Sequence, residues 1–203
     1  MKKLAALTLA FVSGIASASA IHIQTGYYGG DGLFADASAF QSVVEGAVTT
    51  SSWAASFDNL PITINDGALK STIQFDTATD GADWTFRAGV DFGKGGAVYL
   101  DGVLQQSISD DMWWNYSYTS TGDYFQFTAN GLGAGNHTLT LYGLESCCSG
   151  NQQVQFKVGD GEFTSFGTND GLLPVPEGQT YALLLAGLGL VGTLARRRSN
   201  KQA

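Results

Sequence analysis

The chain has 203 residues, 44% of them apolar, with 27 glycines, two cysteines and a formal charge of −8 at pH 7. Once the two ends discussed below are set aside, residues 21–173 carry four basic and seventeen acidic side chains, a formal charge of −13. That balance argues against nucleic acid or anionic membrane surfaces as partners, since both would repel the body, and the length fits one domain with a core of its own.

At the N-terminus, Lys2 and Lys3 precede a twelve-residue apolar run, 4–15, and Ala18-Ser19-Ala20 supplies small residues at the cleavage spacing. Residues 1–20 therefore read as a secretory signal peptide, with the mature chain beginning at Ile21. The run is too short to span a bilayer and ends in small residues instead of a charged stop.

The body follows. Residues 21–24 alternate apolar and polar and start a strand, which Gly26, Gly29, Gly30 and the Asp31-Gly32 pair break. Ala37, Phe40, Val44 and Ala47 share one helical face, so the spacing predicts a two-turn helix, with a Ser38 to Gln41 capping box and Gly46 as its stop. The small, polar stretch 49–56 holds Trp53, expected in the core. From Ala68 onward the period is two, clearest at 84–92, where Trp84, Phe86, Ala88, Val90 and Phe92 alternate with polar or small residues. Further strands are predicted at 97–100, 103–106, 124–129, 137–144, 152–158 and 162–166. Asp-Gly pairs at 31, 66, 80, 101, 160 and 170 punctuate them, and Asp101-Gly102 stands where a two-residue hairpin needs positive φ. Many short strands and no long soluble helix predict an all-β domain over 21–173, an antiparallel β-sandwich or jelly roll with one short helix.

The C-terminal tail, 174–203, runs from Pro174-Val175-Pro176-Glu177-Gly178 through fifteen apolar or small residues, 181–195, to Arg196-Arg197-Arg198. A run with no polar face belongs in lipid. Fifteen residues span roughly 22 Å of a ~30 Å hydrocarbon core, so this transmembrane helix needs snorkelling flanks, a role the arginine triplet suits while staying cytoplasmic.

The tail resembles a PEP-CTERM sorting signal, the bacterial exosortase tag of Pro-Glu-Pro box, short hydrophobic helix and basic terminus. The match lies on Pro176, Glu177, the apolar run and Arg196, Arg197 and Arg198. Gly178 stands where the second proline of the box is usual. The resemblance implies an exosortase-type processing enzyme as partner, a precursor tethered to the inner membrane, and a product in the envelope or extracellular matrix of a Gram-negative bacterium. Within the body, Asp83-Trp84-Thr85-Phe86, Gly95-Gly96-Ala97-Val98-Tyr99-Leu100-Asp101-Gly102, the run 134–143 and Glu145-Ser146-Cys147-Cys148-Ser149-Gly150 are similar to the CCXG group of PEP-CTERM proteins. The strand-and-turn portion is similar, more loosely, to β-sandwich modules of the protective-antigen type.

Chemistry that could form a site is sparse. His22 and His137 are the two histidines, neither within a G-x-S-x-G or H-E-x-x-H motif, and no catalytic residue is assigned. Cofactors are not expected. Ca²⁺ is the one metal that the oxygen donors Asp101, Asp110, Asp111, Asp160 and Glu162 could hold, against their ordinary use in turns. Adjacent Cys147 and Cys148 leave three possibilities, a vicinal disulfide in a distorted turn, bridges to other chains, or two free thiols. The loops 110–116 and 145–151 are the chemically distinctive ones. If they meet, Trp113 or Trp114 stacks on a sugar face while Asp111, Asn115 and Glu145 bond its hydroxyls; the competing reading has both tryptophans capping the core. The expected function is a non-catalytic envelope or matrix role linked to exopolysaccharide. The alternatives are a carbohydrate-binding module and, remotely, an envelope glycosidase. Intact mass spectrometry of the exported protein is expected to give a chain that begins at Ile21 and ends near the Pro176-Glu177 box, with Gly178→Pro improving processing. A mature species that keeps Arg196 to Arg198 rejects removal of the tail.

Overall fold

The computed structural model describes residues 18–174 apart from 31–33, 35, 63, 79 and 149. The signal-peptide run 4–15, the Pro176-Glu177 box, the span 181–195 and the arginine triplet lie outside the described residues, as does the Asp31-Gly32 break. Among the described residues no helix is long and apolar enough to cross a membrane.

In chain order the elements are β1 (Ser19–Tyr27), α1 (Ala37–Ala47), β2 (Val48–Ala54), β3 (Leu60–Pro61), β4 (Gly67–Thr77), β5 (Ala82–Gly89), β6 (Asp91–Phe92), β7 (Gly96–Leu100), β8 (Val103–Ile108), β9 (Met112–Trp113), β10 (Tyr124–Leu132), β11 (Gly135–Glu145), β12 (Asn151–Val158) and β13 (Thr164–Ser165). All pairings are antiparallel. A six-stranded sheet, β2-β1-β4-β11-β7-β8, faces a second sheet of order β10-β5-β12-β13. The expected antiparallel sandwich is thus the observed fold.

Alternation builds the core between the sheets. Ile73 and Phe75 of β4 and Leu139 and Leu141 of β11 meet Trp84, Phe86 and Ala88 of β5 and Val154 and Phe156 of β12, all buried in one cluster. The other face of the six-stranded sheet carries α1, whose Ala37, Phe40 and Val44 pack with Ala68, Tyr99, Tyr142 and Leu144. Helix, sheet and sheet therefore form three layers.

Four local expectations are corrected. The cap of α1 is Asp36, whose Oδ1 accepts the Ser38 N–H at 2.9 Å, and not Ser38 itself. The helix has 11 residues and passes Gly46 to run directly into β2, because the buried stripe needs the third turn to reach the sheet. Residues 48–54 form an edge strand, and Trp53 on it is 70% exposed beside the His22 ring at 4.7 Å, since no element covers that margin. Burial alternates from Trp84 to Ala88 as expected, but Gly89 to Phe92 are all buried, because the strand divides at Val90 and its last two residues pair elsewhere. Strand β1 begins at Ser19, so Ser19 and Ala20 of the cleavage site pair with Phe75 and Gln74. At the Asp101-Gly102 hairpin both φ angles are positive, 50° and 77°, as its two-residue length demands.

Gly143 of β11 shows why one position cannot carry a side chain: a Cβ there would overlap the Phe92 ring. Gly143→Ala is expected to cost about 1–3 kcal/mol through that overlap, read as a lowered urea midpoint. An unchanged midpoint would show that Phe92 can move aside freely.

Candidate functional site

Beyond Gly89 the chain leaves its sheet, and Asp91 and Phe92 pair with Trp113 and Met112 to close one end of the sandwich. Side chains on such a ribbon alternate between its faces. Phe92 and Met112 go into the core, fully buried, and Asp91 and Trp113 share the opposite face as direct cross-strand neighbours. Trp113 is 62% exposed. Asp111 and Asn115 of the same loop are exposed as well, and the Asp111 N–H is fixed by Asp110 Oδ1 at 2.8 Å.

Trp114 behaves differently from its neighbour. It is 4% exposed, its indole occupies the space left by Gly89, and Tyr116 and Tyr118 lie against it at 5.4 Å. The Trp114 backbone N–H donates to the Val90 carbonyl at 3.1 Å. Trp114 therefore anchors the loop from beneath and offers no face to a ligand, which corrects its place in the expected rim.

Glu145 is corrected in the same way. At the end of β11 it is 1% exposed, with Oε1 accepting the N–H groups of Ser146 and Cys147 at 2.8 and 3.0 Å and Oε2 accepting that of Gly93 at 3.2 Å. Its acceptor capacity is turned to main chain, not to sugar hydroxyls. Burial, and after it the charge of Asp91, raise its pKa to about 7 against those three amides. Burial, then Asp111, likewise raise Asp91 to about 6, with the Gly150 N–H opposing.

The Cys147 and Cys148 side chains form a vicinal disulfide with Cα atoms 3.7 Å apart, which closes the choice among the three pairings. Both residues are exposed, and Cys148 takes a φ of 66°. Gly150 sits against Asp91, where a Cβ would come within 2.6 Å of Oδ2. The segment Asp91 to Gly93 thus joins the loops 110–116 and 145–151, and the two lie at one end of the sandwich.

The oxygen donors weighed for Ca²⁺ are dispersed. Asp101 is at the opposite end, with Oδ2 on His137 Nδ1 at 2.7 Å and Oδ1 accepting the Thr138 N–H at 2.8 Å, while Asp160 and Glu162 stand exposed after β12. Among the described residues no group of three or more His, Cys, Asp or Glu side chains is arranged to hold a metal ion. For His137, burial opposes the charged form, but Asp101 and the Gly133 carbonyl outweigh it and raise the imidazole pKa.

Sequence reasoning passed over three residues here. Asp91 belongs to the polar or small residues that alternate along 84–92, and in the structure it is buried, 9% exposed. Tyr27 is exposed, and Tyr28 lies below Lys94 Nζ at 5.8 Å, with Lys94 paired to Asp66 at 3.7 Å. The run Tyr27-Tyr28-Gly29-Gly30 at a strand end was the available signal.

No protein-family model matches the chain, and no curated protein does. Among solved structures, the chain is similar to a PA14 sugar-binding domain from an RTX adhesin, with a TM-score of 0.51 and 8% identity over 77% of this chain and 99% of that one. The Epithelial Adhesin 9 A domain from Candida glabrata, solved with Galβ1-4GlcNAc, gives 0.49 and 11% over 80% and 94%. A β-glucosidase from Kluyveromyces marxianus gives 0.44 and 11% over 70% of this chain and 17% of that one. The first of these shows a common sandwich fold.

Asp91, Glu145 and His137 all hold a proton more tightly folded than unfolded. For Asp91 and Glu145 that contribution is complete below the unfolded carboxylate values, near pH 4, and is lost as pH rises through about 6 and about 7, while for His137 it is complete below the ordinary imidazole value and is lost above it, at no more than about 1.4 kcal/mol per pH unit for each group. Asp91→Asn is expected to gain on the parent between pH 4 and about 6 in thermal melts, and to gain little more above that. A difference that does not vary with pH would mean that Asp91 titrates normally.

Proposed function

We propose that residues 21–173 form a non-catalytic carbohydrate-binding module, exported and delivered by an exosortase-type pathway to the envelope or matrix, where it holds exopolysaccharide. The observation that carries the reading is the 62% exposed Trp113 on a loop otherwise locked by buried Trp114 and Met112. A rigid, exposed indole loses little conformational freedom on binding, and its face suits the C–H face of a sugar ring. Asp111 and Asn115 beside it supply hydroxyl partners. With the −13 body repelling polyanions, the substrate class is a neutral glycan.

The sandwich shared with a PA14 sugar-binding domain supports the binding role over a purely structural one. Delivery rests on the resemblance of the tail to a sorting signal. The acidic pair Asp91 and Glu145 holds protons near neutrality, a property that glycoside hydrolysis uses. Here Glu145 is sealed behind three amides, so the pair serves the loops and favours binding over cleavage.

Trp113→Ala is expected to weaken retention of the exported protein on its own exopolysaccharide by about tenfold, as loss of stacking and its buried area implies. Trp53→Ala, which removes another exposed indole far from the loops, should bind like the parent. Equal binding by a folded Trp113→Ala variant would place the platform elsewhere.

A further inference from the structure

A disulfide between neighbours closes no chain loop of any length, so it contributes little of the unfolded-state restriction that makes disulfides stabilising. Nor do these cysteines pack: both are exposed, whereas cysteine is among the most buried residue types. Yet the fold commits resources to the turn. Cys148 adopts a left-handed backbone at φ 66°, which costs an L-residue roughly 1–2 kcal/mol. The buried Glu145 carboxylate holds Cys147 N–H and links the turn to Gly93, and the Ser146 carbonyl accepts the Asp66 N–H at 3.2 Å. Non-glycine residues kept in this region are a feature of ligand-binding loops.

Position supplies the rest. Gly150, two residues past Cys148, rests on the Asp91 carboxylate, and Asp91 lies directly across from Trp113 on the same face. An exposed indole and an exposed disulfide thus stand on two loops that meet over one buried carboxylate, Asp91, at the sandwich end.

We infer that the Cys147–Cys148 disulfide is itself a contact surface for sugar, the second apolar wall of the site whose first wall is Trp113, with the buried Asp91 beneath them joining the two loops. The inference rests on the carbohydrate-binding reading and deepens it. Two polarisable sulfurs and two methylenes in a closed ring present a rigid, weakly hydrated face with no rotamer freedom to lose, suited to dispersion contact with axial C–H groups. Walls on two sides select a sugar unit that protrudes from the polymer, a branch or chain end, over the flank of an extended chain. The exposed carboxylates of Asp110 and Asp111 oppose uronic acids and leave neutral hexoses as the ligand class.

The test uses the full exported protein on an immobilised panel of dextran, a branched galactan, cello-oligosaccharides and Galβ1-4GlcNAc, followed by NMR with ¹³C-labelled cysteine and the best binder. Nuclear Overhauser contacts are expected between the Cys147 or Cys148 β-protons and sugar ring protons. A folded Cys147→Ser, Cys148→Ser variant and the parent reduced with a phosphine should each bind about tenfold more weakly. Unchanged affinity in that double variant, with Trp113→Ala still impaired, overturns the inference and leaves the binding module standing. Weakened binding without β-proton contacts also overturns it, because the disulfide then only positions the loop. A parent that binds nothing on the panel or on its own exopolysaccharide removes the binding reading and the inference together.

Discussion

The carboxylate of Glu145 is the constraint on which the functional end of this molecule depends. It terminates the long central strand β11, and from that rigid base it gathers three amides belonging to two separate turns. Hydrogen bonds to a carboxylate are about twice as strong as neutral ones, and a buried carboxylate left without them would be costly. The two turns are therefore held in one geometry without any side chain of their own reaching across. Gly93 and Gly150 allow that approach, since each sits where a Cβ would press on a carboxylate or hydroxyl oxygen.

Rigidity at the loops is inherited from the layers below. The six-stranded sheet is buried on both faces over much of its width, by the sandwich core on one side and by α1 on the other. Tyr99 and Tyr142 tie helix to sheet through their hydroxyls, to the Ala37 carbonyl and to Glu45. Burial of the Tyr142 hydroxyl, helped by Glu45, raises its pKa well beyond the ordinary phenol range, so the contact keeps its proton at any pH the protein meets. On the second sheet Arg87 lies between the Tyr118 and Phe163 rings, at 3.8 and 3.7 Å, and clamps the segment that follows Tyr116.

The strand pattern was legible because each inner face repeats with period two, as from Trp84 to Ala88 and from Leu139 to Leu141, and because Asp101-Gly102 can only be a tight turn there. The helix was legible from Ala37, Phe40 and Val44. What remained hidden depends on partners distant in sequence. Trp53 is exposed because its strand has a neighbour on one side only, and edge position leaves no mark in composition. Trp114 is buried by the missing side chain of Gly89, and Trp113 is exposed by the same alternation, so two identical residues in succession could not be told apart before β6 and β9 were seen to pair. Glu145 is buried by main-chain donors, which every residue but proline possesses and no motif announces. The meeting of the two loops was anticipated from the sandwich class, and its agent, Asp91, was not.

Strand β4 lies between β1 and β11, with Gly67 opposite Glu145 at one end and Thr77 opposite Gly135 at the other. Its first partner has already been made when it is synthesised, while its second comes almost sixty residues later. Until β11 arrives, the middle of the sheet is an open edge eleven residues long, rich in Ile, Leu, Phe and Thr, a template for any extended chain nearby. Closing it demands a distant contact of the slow, high contact-order kind. Shortening the chain before residue 135 would therefore do more than delete a loop or a site: it would turn the centre of the domain into its most adhesive margin.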